Sequence, residues 1–213
     1  MWRTLWWAVS ALAAALLCSC SVPGEPVAQP PGALSSSPVS VPPSVRQFDD
    51  QGRMLPFRTD FPNRWSEGNN GTPYEPCTSV MPDALRELGI APDSVADAAS
   101  VNYQTLRGCK WKLIGSRFGS AHQIVGNAPS ANPTLDGYKT LNSAVFHWHP
   151  SRTISGREVL VSSLGGDNCS THVLSGRAIV TTSILVGTTP AEVDGICERA
   201  IAFTRATIDQ IPR

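Results

Sequence analysis

Apolar residues follow different patterns along this chain and divide it into regions. Residues 5–17 are apolar except for Ser10, and Arg3 precedes them. Residues 21–45 hold seven prolines and many serines but a single charged residue, Glu25. Residues 46–76 are rich in Pro, Gly and Asn, show no clean period and are expected to form an extended lead-in. Beyond them, apolar side chains recur at the spacings of strands and helices.

Alternating apolar and polar residues predict a strand-rich second half. Cys109, Trp111 and Leu113 alternate with two lysines, as in a strand with one buried face. Ser175-Gly176 is suited to the tight turn of a hairpin. Strands are predicted over residues 108–113, 123–125, 144–149, 158–163, 169–174 and 177–186.

Helical spacing appears in three places. Pro82 to Gly89 has a proline suited to the first turn and a glycine suited to the stop. Asn132-Pro133 opens a second helix, with Leu135, Tyr138 and Leu141 on one face. A capping box, residues 189–192, precedes a long C-terminal helix with Cys197 on its apolar face. We therefore predict an α+β domain over residues 48–213: an antiparallel sheet with packed helices, two disulfides and a long C-terminal helix.

The apolar run near the start has the features of a lipoprotein signal. Thirteen residues are too few to span a membrane comfortably but fit the apolar core of a signal peptide. Leu17 and Ser19 match the residues expected before a lipid-bearing cysteine, so cleavage is predicted after Ser19. Residues 1–19 are then the signal peptide, Cys20 the lipidation site and residues 20–47 a Pro/Ser-rich tether. Cys18 is the rival lipid site.

Four further cysteines remain if the signal and lipid site take the first two. An even number in an exported chain implies disulfides, and three pairings are possible. We favour Cys77–Cys109 and Cys169–Cys197, because each closes a local loop of about 30 residues and so contributes roughly 3–4 kcal/mol. A metal site is disfavoured because no Cys-x-x-Cys pair occurs.

The net charge and the polar motifs argue against nucleic-acid binding, a metal site and a catalytic triad. The formal net charge is zero, which gives no basic surface for nucleic acid. His147 and His149 would share one strand face but lack a third ligand nearby in sequence, so no metal and no cofactor are predicted. Ser162, Ser163, His172 and Asp167 could form a triad on paper, but no nucleophile-elbow motif supports it.

Several motifs together resemble a known family. They are Pro76-Cys77-Thr78 with its Leu-rich helix, Gly108-Cys109-Lys110-Trp111, and two later cysteines, one in a strand and one in a helix. Behind a lipid-anchoring signal, they resemble an actinobacterial family of lipoproteins, typified by mycobacterial proteins, with a four-cysteine domain of unknown function. The resemblance implies two disulfides, cell-envelope anchoring and no established catalytic residues.

The expected function is therefore that of a non-enzymatic lipoprotein, anchored by lipid to the extracytoplasmic face of the cell membrane. Its domain would bind an envelope protein or a small apolar ligand and no nucleic acid. Trp65 and Trp148 are the candidate contact residues, because they lie in polar surroundings in the sequence. An envelope hydrolase and an extracytoplasmic sensor domain are the alternatives.

Overall fold

The computed structural model describes residues 44–99, 101–187 and 193–213. The predicted signal peptide, Cys20, the tether up to residue 43 and the capping box at 189–192 lie outside the described residues. Within the described ranges, no helix has the length and apolarity needed to cross a membrane.

In the part of the chain that the structure describes, seven antiparallel strands form one sheet and four helices accompany it. The strands are β1 Ile90–Asp97, β2 Leu106–Leu113, β3 Ser120–Asn127, β4 His147–Ile154, β5 Arg157–Ser163, β6 Asn168–Ser175 and β7 Ala178–Leu185. The helices are α1 Pro76–Ser79, α2 Pro82–Glu87, α3 Leu135–Leu141 and α4 Val193–Thr207, the last followed by a 3-10 turn at Ile208–Gln210.

The predicted fold class is wrong, because the sheet dominates the domain. Its strand order is β1-β2-β3-β7-β6-β5-β4, and three of the four helices have seven residues or fewer. The prediction gave short polar stretches to loops and expected helices to cover the sheet. Instead, the strands extend through those stretches, because each is paired along most of its length with a neighbour.

β1 is the strand that the sequence pattern did not predict. Pro92 and two aspartates interrupt its apolar alternation. The strand tolerates them because it lies at the sheet edge, and its pairing with β2 shifts register between Ala91 and Ala96. Proline is compatible with an edge strand or a bulge, where its missing N–H is not needed.

α4 covers one face of the sheet and forms the main core with it. Thr204 of α4 hydrogen-bonds Thr171 of β6, and both are fully buried. Phe203 packs edge-on against Trp111 of β2, with ring centroids 5.8 Å apart. Trp111 and its alternating neighbours are buried, as the strand pattern predicted.

Both predicted disulfides are confirmed. Cys77 of α1 is bonded to Cys109 of β2, and Cys169 of β6 is bonded to Cys197 of α4. Each bridge therefore joins a helix to a strand. All four cysteines are buried.

A buried charge network attaches the segment before α1, residues 44–75, to the sheet. Glu75 accepts two hydrogen bonds from Arg64, at 2.7 and 3.1 Å, and one from Arg107 of β2, at 3.1 Å. Arg64 also donates to Asp97 at the end of β1. Arg107 donates to the backbone carbonyl of Thr72, so the network fixes a segment that has no helix or strand of its own.

Glu75→Gln should destabilise the domain strongly, because two buried guanidinium groups would lose the carboxylate they share. Breaking a buried ion pair on one side costs about 3–5 kcal/mol. Urea unfolding followed by circular dichroism measures the free energy of unfolding. Asp83→Asn is the matched control: its pair with Arg86 is exposed, so the loss should stay below about 0.5 kcal/mol. Equal losses for the two variants would contradict the role given to Glu75.

Candidate functional site

The connection from β3 to β4 must cross the sheet, and this crossing creates a cleft. β3 lies in the middle of the strand order and β4 at its far edge, four strand spacings or about 19 Å away. Residues 128–146, here called the crossing segment, cover that distance and contain α3. Leu135 of α3 packs on Leu160 and Ile179, which lie on the sheet face opposite α4.

The cleft lies within the crossing segment, between its first loop and α3. Its volume is about 370 Å³, and we call it the α3 cleft. Thr134 caps α3 by accepting a hydrogen bond from the Gly137 backbone at 3.0 Å, which orients the helix against the loop. The observed cap, Thr134, therefore lies two residues after the predicted cap, Asn132, and the helix starts at Leu135. The cleft is lined by Ala128, Pro129, Ser130, Asn132, Pro133, Thr134, Gly137, Tyr138 and Leu141.

Tyr138 links the α3 cleft to the sheet. It also lines a smaller cavity of about 70 Å³, whose other walls include Leu106, Ile124 and Ile179. Burial raises the pKa of Tyr138, so its hydroxyl is neutral at physiological pH. An apolar ligand in the cleft would thus meet an aromatic ring with an uncharged polar end.

An aromatic cluster lies beside Tyr138 on the same face. Its members are Tyr138, Phe146, Trp148 and His172. The ring of His172 is 5.1 Å from that of Tyr138 and 5.6 Å from those of Phe146 and Trp148. The cluster therefore joins α3 and the last residue of the crossing segment to β4 and β6.

His172 forms two hydrogen bonds beneath this cluster. Its Nε2 is 2.8 Å from Ser162 Oγ, and its Nδ1 is 3.0 Å from Thr181 Oγ1. Burial lowers its pKa to about 3, so the imidazole stays neutral.

His172 and Ser162, two of the residues that could form a catalytic triad, are therefore hydrogen-bonded to each other, but no acid among the described residues contacts the second ring nitrogen of His172. Thr181 occupies the position where an acid would orient the ring, and Ser163 hydrogen-bonds His149 instead. Asp167 lies in the turn before β6 and accepts from Asn168. Ser162 and His172 are both fully buried beneath the rings of the cluster.

The two candidate tryptophans lie in different places. Trp148 is half-buried in the aromatic cluster, with the Lys139 ammonium 5.9 Å from its ring. Its indole N–H is buried and has no hydrogen-bond partner among the described residues. Trp65 lies in the segment before α1, where the guanidinium groups of Arg46 and Arg64 lie 4.2 and 4.7 Å from its ring.

The two histidines of β4 lie next to a disulfide. The His147 and His149 rings are 4.9 Å apart, and a ring nitrogen of His149 lies within 4.8 Å of the sulfurs of Cys169 and Cys197. Structural zinc needs cysteine as thiolate, and these sulfurs are bonded to each other. The four groups therefore do not form a ready metal-binding set in the disulfide state.

A comparison with models of known protein families shows which family the chain belongs to. A family described as "Protein of unknown function (DUF3558)" matches residues 14–210. The chain belongs to that family. The resemblance to a domain without an assigned function is thereby confirmed, whereas an actinobacterial lipoprotein origin stays a prediction. No curated protein and no solved structure matches this DUF3558 chain.

Sequence reasoning missed the α3 cleft of this DUF3558 domain. It placed Leu135, Tyr138 and Leu141 on one helix face. Leu135 is buried, Tyr138 is half-buried, and Leu141 is 62 % exposed at the cleft. The available signal was the pair of prolines at 129 and 133 next to a very short helix. A loop with two prolines does not pack flat on a sheet. The sequence pattern does not say, however, which face of the sheet the crossing segment covers.

The buried His172 should make the DUF3558 domain sensitive to acid. Its folded pKa of about 3 lies below the ordinary 6.5, so the unfolded chain binds a proton that the folded chain excludes. The stabilising effect is complete above about pH 6.5 and is lost as the pH falls towards 3, at up to about 1.4 kcal/mol per pH unit. Chemical unfolding between pH 7 and 4 should show a flatter profile for His172→Gln than for the wild type.

His147→Gln is the control for that experiment, because His147 is exposed on β4. Its stability profile should keep the wild-type slope. Parallel profiles for His172→Gln and the wild type would show that His172 does not remain neutral in the folded domain.

Proposed function

We propose that this DUF3558 protein is a non-enzymatic lipoprotein of the cell envelope that binds a small apolar ligand in the α3 cleft. A lipid on Cys20 anchors it to the extracytoplasmic face of the cell membrane. The observation that carries the proposal is the α3 cleft itself, a concave site on the sheet face that α4 leaves free.

The size and lining of the α3 cleft support a small apolar ligand. Its volume of about 370 Å³ falls in the range of small-molecule sites, about 300–1,000 Å³. Pro129 and Pro133 stiffen one wall, which reduces the entropy lost on binding. Tyr138 provides an aromatic ring to pack against.

The polar groups near the α3 cleft favour binding over catalysis. A general base works best with a pKa near the ambient pH, and His172 is far below it. Its serine partner is covered by the sheet and the aromatic cluster. The sensor alternative in its redox form requires an exposed disulfide, and all four cysteines are buried.

The cysteine count supports export and anchoring. The two disulfides use Cys77, Cys109, Cys169 and Cys197. Stable disulfides belong to oxidising compartments outside the cytoplasm. The remaining two cysteines are Cys18 and Cys20, and the Leu17-Cys18-Ser19 sequence predicts that Cys20 carries the lipid.

Leu141→Asp should weaken binding of an apolar probe to the α3 cleft. N-phenyl-1-naphthylamine, an uncharged aromatic fluorophore, is titrated into residues 42–213, which form one compact unit. The introduced carboxylate would have to lose water when the probe binds, so we expect the affinity to fall at least about tenfold. Leu141 is largely exposed, so the substitution should leave the folded core intact.

Leu164→Asp is the matched control for the α3 cleft. Leu164 is 53 % exposed in the β5–β6 turn, and the same change there should leave probe affinity within about twofold. Absence of probe binding to the wild type, or equal effects of both substitutions, would refute the apolar site.

Cys20→Ser should abolish lipidation of the full chain. In an actinobacterial host fed an alkyne-tagged palmitate analogue, the wild type and Cys18→Ser should both be labelled and partition into the detergent phase. Cys20→Ser should lose the label, because it lacks the thiol that receives the first lipid. Labelling that survives Cys20→Ser and disappears in Cys18→Ser would move the anchor to the rival cysteine, and an unlabelled wild type would refute anchoring.

A further inference from the structure

A second cleft lies apart from the α3 cleft, between the segment before α1 and the β1–β2 connection. Its volume is about 600 Å³, and it shares no lining residue with the α3 cleft. Two aromatic side chains, Trp65 and Tyr103, contribute to its walls. We call it the Trp65 cleft, and it is lined by Asn63, Trp65, Ser66, Glu67, Gly68, Asn70, Tyr103 and Thr105.

The Trp65 cleft is held by hydrogen bonds between its two walls. The buried Asn69 donates to the backbone carbonyls of Arg64 and Gln104, at 3.0 and 2.7 Å. Ser66 also donates to the Gln104 carbonyl. Arg64, next to Trp65, is fixed by the Glu75 network. The cleft is therefore preformed, and a ligand would not have to order it.

Tyr103 occupies this cleft in an unusual conformation. Its φ is +54°, in the left-handed region that disfavours residues with a side chain, and its side chain is 72 % exposed. Such a backbone costs of order 1 kcal/mol or more, and conformations of this kind cluster at ligand sites. Exposure and strain together place an aromatic ring in solvent at the mouth of the cleft with no packing gain to offset the cost.

The polar groups of the Trp65 cleft are amides, hydroxyls and one carboxylate. Asn70 already engages one amide group of Asn127, at 3.0 Å, which orients its own side chain. Glu67 is the charged residue among those that line the cleft, and the nearby guanidinium groups of Arg46 and Arg64 are paired with carboxylates. An apolar ligand would strip water from Asn63, Asn70 and Glu67 without replacing their hydrogen bonds.

We propose that the Trp65 cleft binds an uncharged sugar of an envelope glycan. A pyranose ring has an apolar face that can pack on Tyr103, and its hydroxyl or acetamido groups can exchange hydrogen bonds with Asn63, Glu67 and Asn70. Trp65 serves as a wall rather than a free stacking surface, because two guanidinium groups already lie over its ring. This site is separate from the proposed apolar ligand site and does not depend on it.

Ligand-observed NMR with three defined sugars tests the proposal. The probes are the trimer of N-acetylglucosamine, cellotriose and maltotriose, each added to the full chain in a detergent without a sugar headgroup. At least one should bind with a dissociation constant of about 1 mM or tighter. Tyr103→Asn should weaken that binding at least about fivefold, because it removes the ring while asparagine tolerates the left-handed backbone.

Two control variants separate loss of the ring from damage to the fold. Tyr103→Phe keeps the stacking surface and should stay within about twofold of the wild type. Phe118→Ala removes an aromatic ring that is 64 % exposed at the opposite end of β2, and should change nothing. Failure of all three sugars to bind at about 10 mM, or binding that survives Tyr103→Asn, would overturn the sugar site and leave the α3 cleft untouched.

Discussion

The shared carboxylate of Glu75 is the interaction on which one whole side of this domain depends. It lies between two buried guanidinium groups, and without it Arg107 would lose the carboxylate it contacts and Arg64 would keep only Asp97. Residues 44–75 form neither helix nor strand, so they have no hydrogen-bond ladder to hold them. Glu75 also caps α1 through the Cys77 backbone N–H, which places Cys77 opposite Cys109. The same few atoms thus set the position of the first disulfide and of the Trp65 cleft.

The other side of the domain follows from topology rather than charge. Two antiparallel runs of strands, β1–β3 and β4–β7, lie side by side, and β7 closes on β3. The chain must therefore leave the centre of the sheet and restart at its edge. The crossing segment cannot cover the whole sheet face with its helix, because a seven-residue helix is shorter than the distance across four strands. The α3 cleft lies within this crossing segment.

The sequence predicted local features well and their spatial combination poorly. Alternation around Trp111 located β2, and Ser175-Gly176 located the β6–β7 turn, because both signals come from adjacent residues. Even the disulfides followed from short loops. The Glu75 network was not foreseen, since Arg64, Glu75 and Arg107 carry no mutual spacing that marks them as partners. The balance of sheet and helix was misjudged for the same reason: β1 is a strand because β2 pairs with it, despite its own composition.

Each disulfide attaches to the sheet a helix that strand pairing cannot hold. The positions of the two bridges therefore bear on how each cleft is held. One fixes α1, beside the segment that forms the Trp65 cleft, and the other fixes α4 on the opposite face from the crossing segment. Neither reaches residues 128–146. That segment is held by Leu135 and by the aromatic contacts around His172, which are individually weak. The Trp65 cleft therefore lies beside a covalent attachment, whereas the α3 cleft depends on noncovalent contacts. A ligand in the α3 cleft would contact Tyr138, whose ring lies 5.1 Å from that of His172 in β6, so the cleft is linked to the sheet through these two rings.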